Sequence, residues 1–351
     1  MEPIQTHGGD WAGYRAAYGR LPLDFSANLS PLGLPVGVRA ALRQAAEEAD
    51  RYPDPLCREL CAALAEREGV PAEWILCGNG AADLIFRAVL ALRPRRALIT
   101  APAFGEYAAA LRCAGCETVR YALHPAEDFR IRPDILEAIT PGTELVILCE
   151  PNNPTGVTTP RPLLLRILER CRETGARLLA DECFGDFLAD PAAHSLRGAL
   201  AQQPVVVLRA FTKLYAMAGV RLGYVLCADR ALLAAMRSAG QPWGVSTLAQ
   251  AAGTAALREE SYVACVRALV SAERPRLSAA LAALGLRVVP GEANYLLFQS
   301  PRPLGKPLEA RGILLRGCGD YEGLDASWYR TAVRTGGENQ RLLASLKEVL
   351  S

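Results

Sequence analysis

Lys213 lies in Val205-Val-Val-Leu-Arg-Ala-Phe-Thr-Lys213-Leu-Tyr-Ala-Met-Ala-Gly219-Val-Arg221-Leu-Gly223, and its neighbours make it a candidate nucleophile. An amine among Thr, Tyr, Ala and Met can be stripped of water, which lowers its pKa and frees it to condense with an aldehyde. Taken alone, the same lysine could also be a solvated residue at a helix start. Arg221 follows between glycines, which let backbone approach a ligand. Asp181-Glu182 ends the apolar run Leu178-Leu-Ala180, and a carboxylate there is costly unless it meets a cation. Glu150-Pro-Asn-Asn153-Pro-Thr-Gly156 ends another run, and its two Asn and two Pro present an amide on a rigid loop. Gly78-Asn-Gly80-Ala81-Ala82 ends a third, where small residues leave backbone N–H groups free for an anion. Phe104 could stack on a planar ligand or fill core.

These groups sit just after short apolar runs, so the scaffold must bring strand ends together. Runs at 75–77, 97–100, 117–121, 145–149, 177–180, 205–208 and 222–226 read as strands, with helices between them at Gly105–Ala114 and Pro162–Thr174. Such alternation predicts an α/β fold with a mainly parallel seven-stranded sheet and helices on both faces. Ligands of such sheets sit beyond the carboxyl ends of the strands. Three regions are expected: an arm over 1–35, rich in turn formers; a large α/β domain over 36–230; and a smaller α+β domain over 231–351.

With 51% of 351 residues in the hydrophobic set, a sizeable core is possible, and a net charge of +2 without a basic stripe points away from nucleic acid. No run is long enough to span a bilayer, and the N-terminus lacks a secretory pattern, so a cytoplasmic protein is expected. Eleven cysteines are scattered through the chain, and Cys113-Ala-Gly-Cys116 lacks the second half of a zinc site. With three histidines far apart, no metal site is expected.

An anion cradle, a stacking ring, an amide, a buried acid, a lysine and an arginine together suit pyridoxal 5′-phosphate. That cofactor needs a lysine to bond its aldehyde, a carboxylate to keep its ring nitrogen protonated, and donors for its phosphate. The ordered strings Pro-Asn-Asn-Pro-Thr-Gly, Asp181-Glu182 and Thr212-Lys213 followed by Gly-Val-Arg221 resemble those of the fold-type I, aspartate aminotransferase-like enzymes, over essentially the whole chain. The resemblance implies that Lys213 bonds the cofactor, Asp181 meets the pyridine nitrogen, Asn153 the ring hydroxyl and Phe104 the ring face. It gives Gly80, Ala81, Thr212 and Arg221 to the cofactor phosphate. Tyr52 would reach a phosphate in the neighbouring subunit's site, which implies a homodimer with shared active sites.

Within that superfamily, His7-Gly-Gly9, Asp24-Phe-Ser-Ala-Asn28, Pro102-Ala-Phe-Gly-Glu-Tyr107, Asp181-Glu-Cys-Phe184 and Tyr329-Arg330-Thr-Ala-Val-Arg334 resemble the threonine-phosphate decarboxylases of cobalamin biosynthesis. Histidinol-phosphate aminotransferases are next, usually with Tyr where this chain has Phe184 and Gly where it has Arg334. The resemblance implies decarboxylation of L-threonine O-3-phosphate (or L-serine O-phosphate) to an aminopropanol phosphate for the cobamide nucleotide loop, with a histidinol-phosphate-type transamination as the alternative. His7, Gly9, Asn28, Asn153, Arg316 and Arg330 would contact a phosphorylated amino-acid substrate. Two positions depart from the family: Ala210 stands where a phosphate-binding serine is usual, and Asp10 where Asn is usual. Glu182 is expected to be a structural partner of an arginine or of backbone, and Tyr107 to be packing.

Overall fold

The computed structural model describes residues 7–351, so residues 1–6 of the expected arm lie outside the described part. Seven strands form the large sheet: β1 (Ile75–Gly78), β2 (Arg96–Ala101), β3 (Glu117–Ala122), β4 (Leu145–Cys149), β5 (Arg177–Asp181), β6 (Val205–Ala210) and β7 (Gly223–Leu226). Their spatial order is β1-β7-β6-β5-β4-β2-β3. β7 runs antiparallel to both its neighbours, and every other pairing is parallel.

The central strands are buried on both faces, which is why they read as unbroken Val/Ile/Leu runs. The two-residue period of a strand divides them between two cores. Val146 and Leu148 join Val205 and Val207 in one core, beneath the helices Arg58–Glu68, Arg161–Thr174 and Thr247–Ala256. Leu145 and Ile147 join Val206 and Leu208 in the other, beneath Gly80–Leu92, Gly105–Cys113 and Arg230–Ser238. Helices on both faces leave the strand ends as the open side, where a ligand can enter.

A four-stranded antiparallel sheet follows, built from Arg287–Val288, Tyr295–Gln299, Arg316–Gly317 and Trp328–Ala332. The last helix, Gly336–Leu350, opens with a reciprocal cap between Thr335 and Glu338. The short strand Leu23–Asp24 pairs in parallel with Ile313–Leu314, so the early chain is stitched to the late chain.

That early segment differs from expectation, because it contains a helix, Trp11–Tyr18. Asp10 accepts a hydrogen bond from the Gly13 N–H at its start, and Gly19 closes it with a left-handed φ of 67°. Asp10 therefore serves as a helix cap. The lysine segment makes one helical turn, Phe211–Leu214.

Candidate active site

Lys213 sits in that turn, directly after β6, at the carboxyl end of the sheet. It shares a cavity with Ala81, Phe104, Asn153, Asp181, Thr212 and Arg221, drawn from six separate segments of sequence. The lysine keeps a small accessible surface there, yet protein atoms crowd its amine. Burial lowers its pKa, and the Arg330 and Arg221 charges push the same way. A depressed pKa raises the neutral fraction of the amine, the form that attacks carbonyl carbon. Its ammonium nitrogen lies 5.4 Å from the centre of the Phe184 ring, and its carbonyl accepts from the Ser30 N–H at 2.9 Å, which ties the early chain to this turn.

Asp181 ends β5 and is buried. Its Oδ1 accepts from the Cys183 N–H at 3.0 Å, and its Oδ2 accepts from the Tyr107 hydroxyl at 2.6 Å. Two donors fix the plane of the carboxylate without neutralising it. The Tyr107 hydroxyl is held well above its ordinary pKa by burial and by the Asp181 charge, so it remains a donor throughout the neutral range. Expecting Tyr107 to be packing was therefore incomplete: its ring packs edge-on against Phe104 at 5.7 Å, while its hydroxyl orients the acid.

The cradle after β1 is shaped by close backbone approach. Gly80 adopts φ +83°, and a Cβ there would come within 2.6 Å of Arg221 Nη2. A Cβ on Gly223 would lie 2.8 Å from the Ala81 nitrogen. Both glycines thus let Arg221 and the first N–H groups of the helix Gly80–Leu92 face one small space. Thr212 is buried beside it, and Ala210 brings no hydroxyl.

Asn153 is buried on the Pro-Asn-Asn-Pro loop. Its Oδ1 accepts from Arg330 Nη1 at 2.5 Å, and Arg330 Nη2 also donates to the Ser26 carbonyl at 3.0 Å. Arg316 is buried, pairs with Asp320 at 2.6 Å and stands over the Tyr321 ring. Asn28 is buried close by in the early chain, and its carbonyl accepts from Asn294 Nδ2 while its own Oδ1 has no hydrogen-bond partner. His7 Nε2 lies 3.0 Å from Glu106, at the edge of an adjoining cavity that shares Phe104 and also includes Asp320 and Tyr321. Gly9 takes φ +87°, and its N–H donates to Ser26 Oγ.

The single chain leaves the candidate Tyr52 on the surface, away from this cavity. It is 80% exposed and stacks on Trp243 at 4.6 Å. Arg334 is half-buried and paired with Glu338 at 2.7 Å. Glu182 does partner an arginine: Arg209 Nη2 donates to it at 2.8 Å and to Ser195 Oγ, while Nη1 donates to Asp186. Burial alone would lower the Arg209 pKa, but Glu182 and Asp186 hold it well above its usual value. This buried ion pair flanks Asp181 and Ala210 and stiffens the strand ends that carry the site.

A family model described as aminotransferase class I and II matches residues 22–346. A threonine-phosphate decarboxylase of Salmonella typhimurium is 42% identical over 99% of this chain and 97% of its own length. A histidinol-phosphate aminotransferase of Symbiobacterium thermophilum is 37% identical over 92% of this chain and 89% of its own. The crystal structure of the histidinol-phosphate aminotransferase from Clostridium acetobutylicum superposes with a TM-score of 0.87 at 26% identity, covering 93% of this chain and 99% of that one. Reached first from strand ends and then from whole-chain likeness, the same conclusion holds: the chain belongs to the aminotransferase class I and II family.

Proposed function

We propose that the protein is a pyridoxal-phosphate-dependent decarboxylase of L-threonine O-3-phosphate (or of L-serine O-phosphate). The observation that carries this reading is a Lys213 of lowered pKa in one cavity with an oriented carboxylate, Asp181, and with a buried Arg330 in its electrostatic reach. The Salmonella decarboxylase, similar along the full length, supports the choice of substrate.

The residues fit the cofactor. Gly80 and Gly223 leave a space that a single Cβ would fill, and its donors are those a phosphate needs. Thr212 and Arg221 would add to that set, Phe104 would lie against the ring, and Asn153 would bond its hydroxyl. When bound, pyridoxal phosphate supplies an electron sink for the bonding pair left behind by departing CO₂. Asp181 would hold a proton at the ring nitrogen and so sustain that sink, and Tyr107 keeps Asp181 in place. Lys213 would anchor the aldehyde carbon, then return a proton to the substrate's Cα. Arg330 and Arg316 would bind the substrate's two anions, because guanidinium forks suit both carboxylate and phosphate. Asn28, with an unpartnered Oδ1, and His7 and Gly9 from the early chain would close over the substrate. A homodimer would bring Tyr52 of each subunit to the other's phosphate, which accounts for an exposed tyrosine in a single chain.

Transamination of histidinol-phosphate type is the alternative, and it differs in which Cα bond is held for cleavage. Incubation with pyridoxal phosphate and L-threonine O-phosphate should yield CO₂ and aminopropanol phosphate, with no 2-oxoacid. A protein that instead carries out a half-reaction with 2-oxoglutarate, leaving threonine phosphate untouched, would defeat the proposal. Lys213→Ala should abolish turnover and release the cofactor on denaturation without borohydride-stable labelling.

A further inference from the structure

Three thiols converge away from the lysine cavity. Cys57 caps the helix Arg58–Glu68, Cys61 lies one turn further on the same face, and Cys77 sits on β1 immediately before Gly78. All three are buried, and the sulfurs of Cys61 and Cys77 are 3.8 Å apart. The two residues are 16 positions apart in sequence, and both sulfurs are reduced. Among the described residues no cluster of His, Cys, Asp or Glu has the arrangement to hold a metal ion, so the chemistry on offer is between the sulfurs themselves. A cavity of about 290 Å³ is lined by Cys57 and Cys77 together with Arg237 and Trp243. Hydrogen peroxide is scarcely larger than water, and at Cys77 it would stand beside the Cys61 sulfur, 3.8 Å from that of Cys77.

We propose that Cys61 and Cys77 are a dithiol site for hydroperoxides, closing reversibly to a disulfide. The Cys61 thiolate attacks one peroxide oxygen, the O–O bond breaks, and the departing hydroxide takes a proton and leaves as water. Cys61 is then a sulfenic acid. The Cys77 sulfur attacks the Cys61 sulfur, the S–O bond breaks, and the hydroxyl leaves with the Cys77 proton as a second water. Two thiols and one peroxide become one disulfide and two waters, each sulfur losing one electron. The order of attack follows from their environments. The hydrogen bond with Cys77 lowers the pKa of Cys61, whereas hydrogen bonds with Cys57 and Cys61, together with burial, raise that of Cys77. Closure moves the sulfurs from 3.8 Å to about 2.05 Å.

Trypsin separates the three thiols, which makes the test direct. Cleavage after Arg51, Arg58, Arg67 and Arg87 places Cys57, Cys61 and Cys77 in three different peptides. The holoenzyme is treated with hydrogen peroxide, its remaining thiols are alkylated, and the digest is mapped by mass spectrometry. The expected product joins peptide Glu59–Arg67 to peptide Glu68–Arg87, vanishes on treatment with dithiothreitol, and is absent from Cys61→Ala and Cys77→Ala. Oxidation confined to the exposed Cys113 and Cys265 would overturn the proposal, as would a link from Cys77 to the peptide Tyr52–Arg58. Mapping the unsubstituted protein decides the matter even if a variant folds poorly.

Discussion

Replacing Tyr107 with Phe removes one oxygen and leaves the ring. The ring's edge-on contact with Phe104 at 5.7 Å survives, so core packing changes little. What disappears is a 2.6 Å hydrogen bond to the buried Asp181 Oδ2, leaving the Cys183 N–H as the remaining donor to that carboxylate. A hydrogen bond to a charged acceptor is worth roughly 1.5–3 kcal/mol. If Asp181 supports the reaction through the cofactor ring, most of this should appear in the barrier, lowering kcat about 10- to 150-fold. The KM for threonine phosphate should move little, because Tyr107 is not among the groups that would hold the substrate's anions. Steady-state CO₂ release gives both constants, and cofactor titration of the apoenzyme gives an affinity expected to fall in parallel. If kcat and cofactor affinity stay within threefold of the parent while thermal stability drops, Tyr107 is only a packing residue and the argument for Asp181's orientation fails.

Glu150 is buried, and burial raises its pKa from 4.5 to about 7 despite hydrogen bonds from Thr159. An acid raised in this way binds its proton more tightly folded than unfolded, so its contribution to stability is full below about 4.5 and is lost as the pH climbs through about 7. The rise corresponds to roughly 3 kcal/mol; Glu150→Gln should cancel most of this loss, so melting curves of parent and variant should diverge between pH 5 and 8, and parallel curves would contradict it. Glu182→Ala should cost about 3 kcal/mol in denaturant titrations, because it removes the buried carboxylate nearest Arg209 and leaves that charge to Asp186 at 3.2 Å; a cost below about 1 kcal/mol would mean that Asp186 alone satisfies the guanidinium. Mixing inactive Tyr52→Ala and Lys213→Ala subunits should restore about a quarter of parental activity, since each hybrid dimer would hold one intact site; no recovery after confirmed exchange would place Tyr52 in its own subunit's site.

Much of the site was legible because parallel strands announce themselves. Val205-Val-Val-Leu, Leu145–Cys149 and Leu178-Leu-Ala180 are unbroken apolar runs, and the chemistry follows directly after each. Tyr107 was not legible, since an aromatic in the first turn of a helix looks the same whether its hydroxyl meets solvent or a carboxylate 74 residues away. The pair of Arg209 and Glu182 was half legible: a buried acid demanded a cation, but only the sheet register brings that cation from the next strand. The helix Trp11–Tyr18 was overlooked although Asp10 and Gly19 bracket it, because the glycines and prolines around it dominate the segment. The thiol cluster left no trace in sequence at all, as Cys61 and Cys77 meet only through packing.

The position of β1 bears on how the protein is made. This strand carries the glycine cradle, lies at the rim of the large sheet and pairs with β7 alone, whose residues come almost 150 positions later. During synthesis the other strands can assemble around β4 and β5 while β1 waits with its backbone unpaired. An unpaired apolar strand is an aggregation hazard for as long as it waits. A ribosome-stalled chain ending before Gly223 should therefore be cleaved by protease near Ile75–Gly78, and one extended beyond Leu226, with its C-terminus clear of the exit tunnel, should become resistant there.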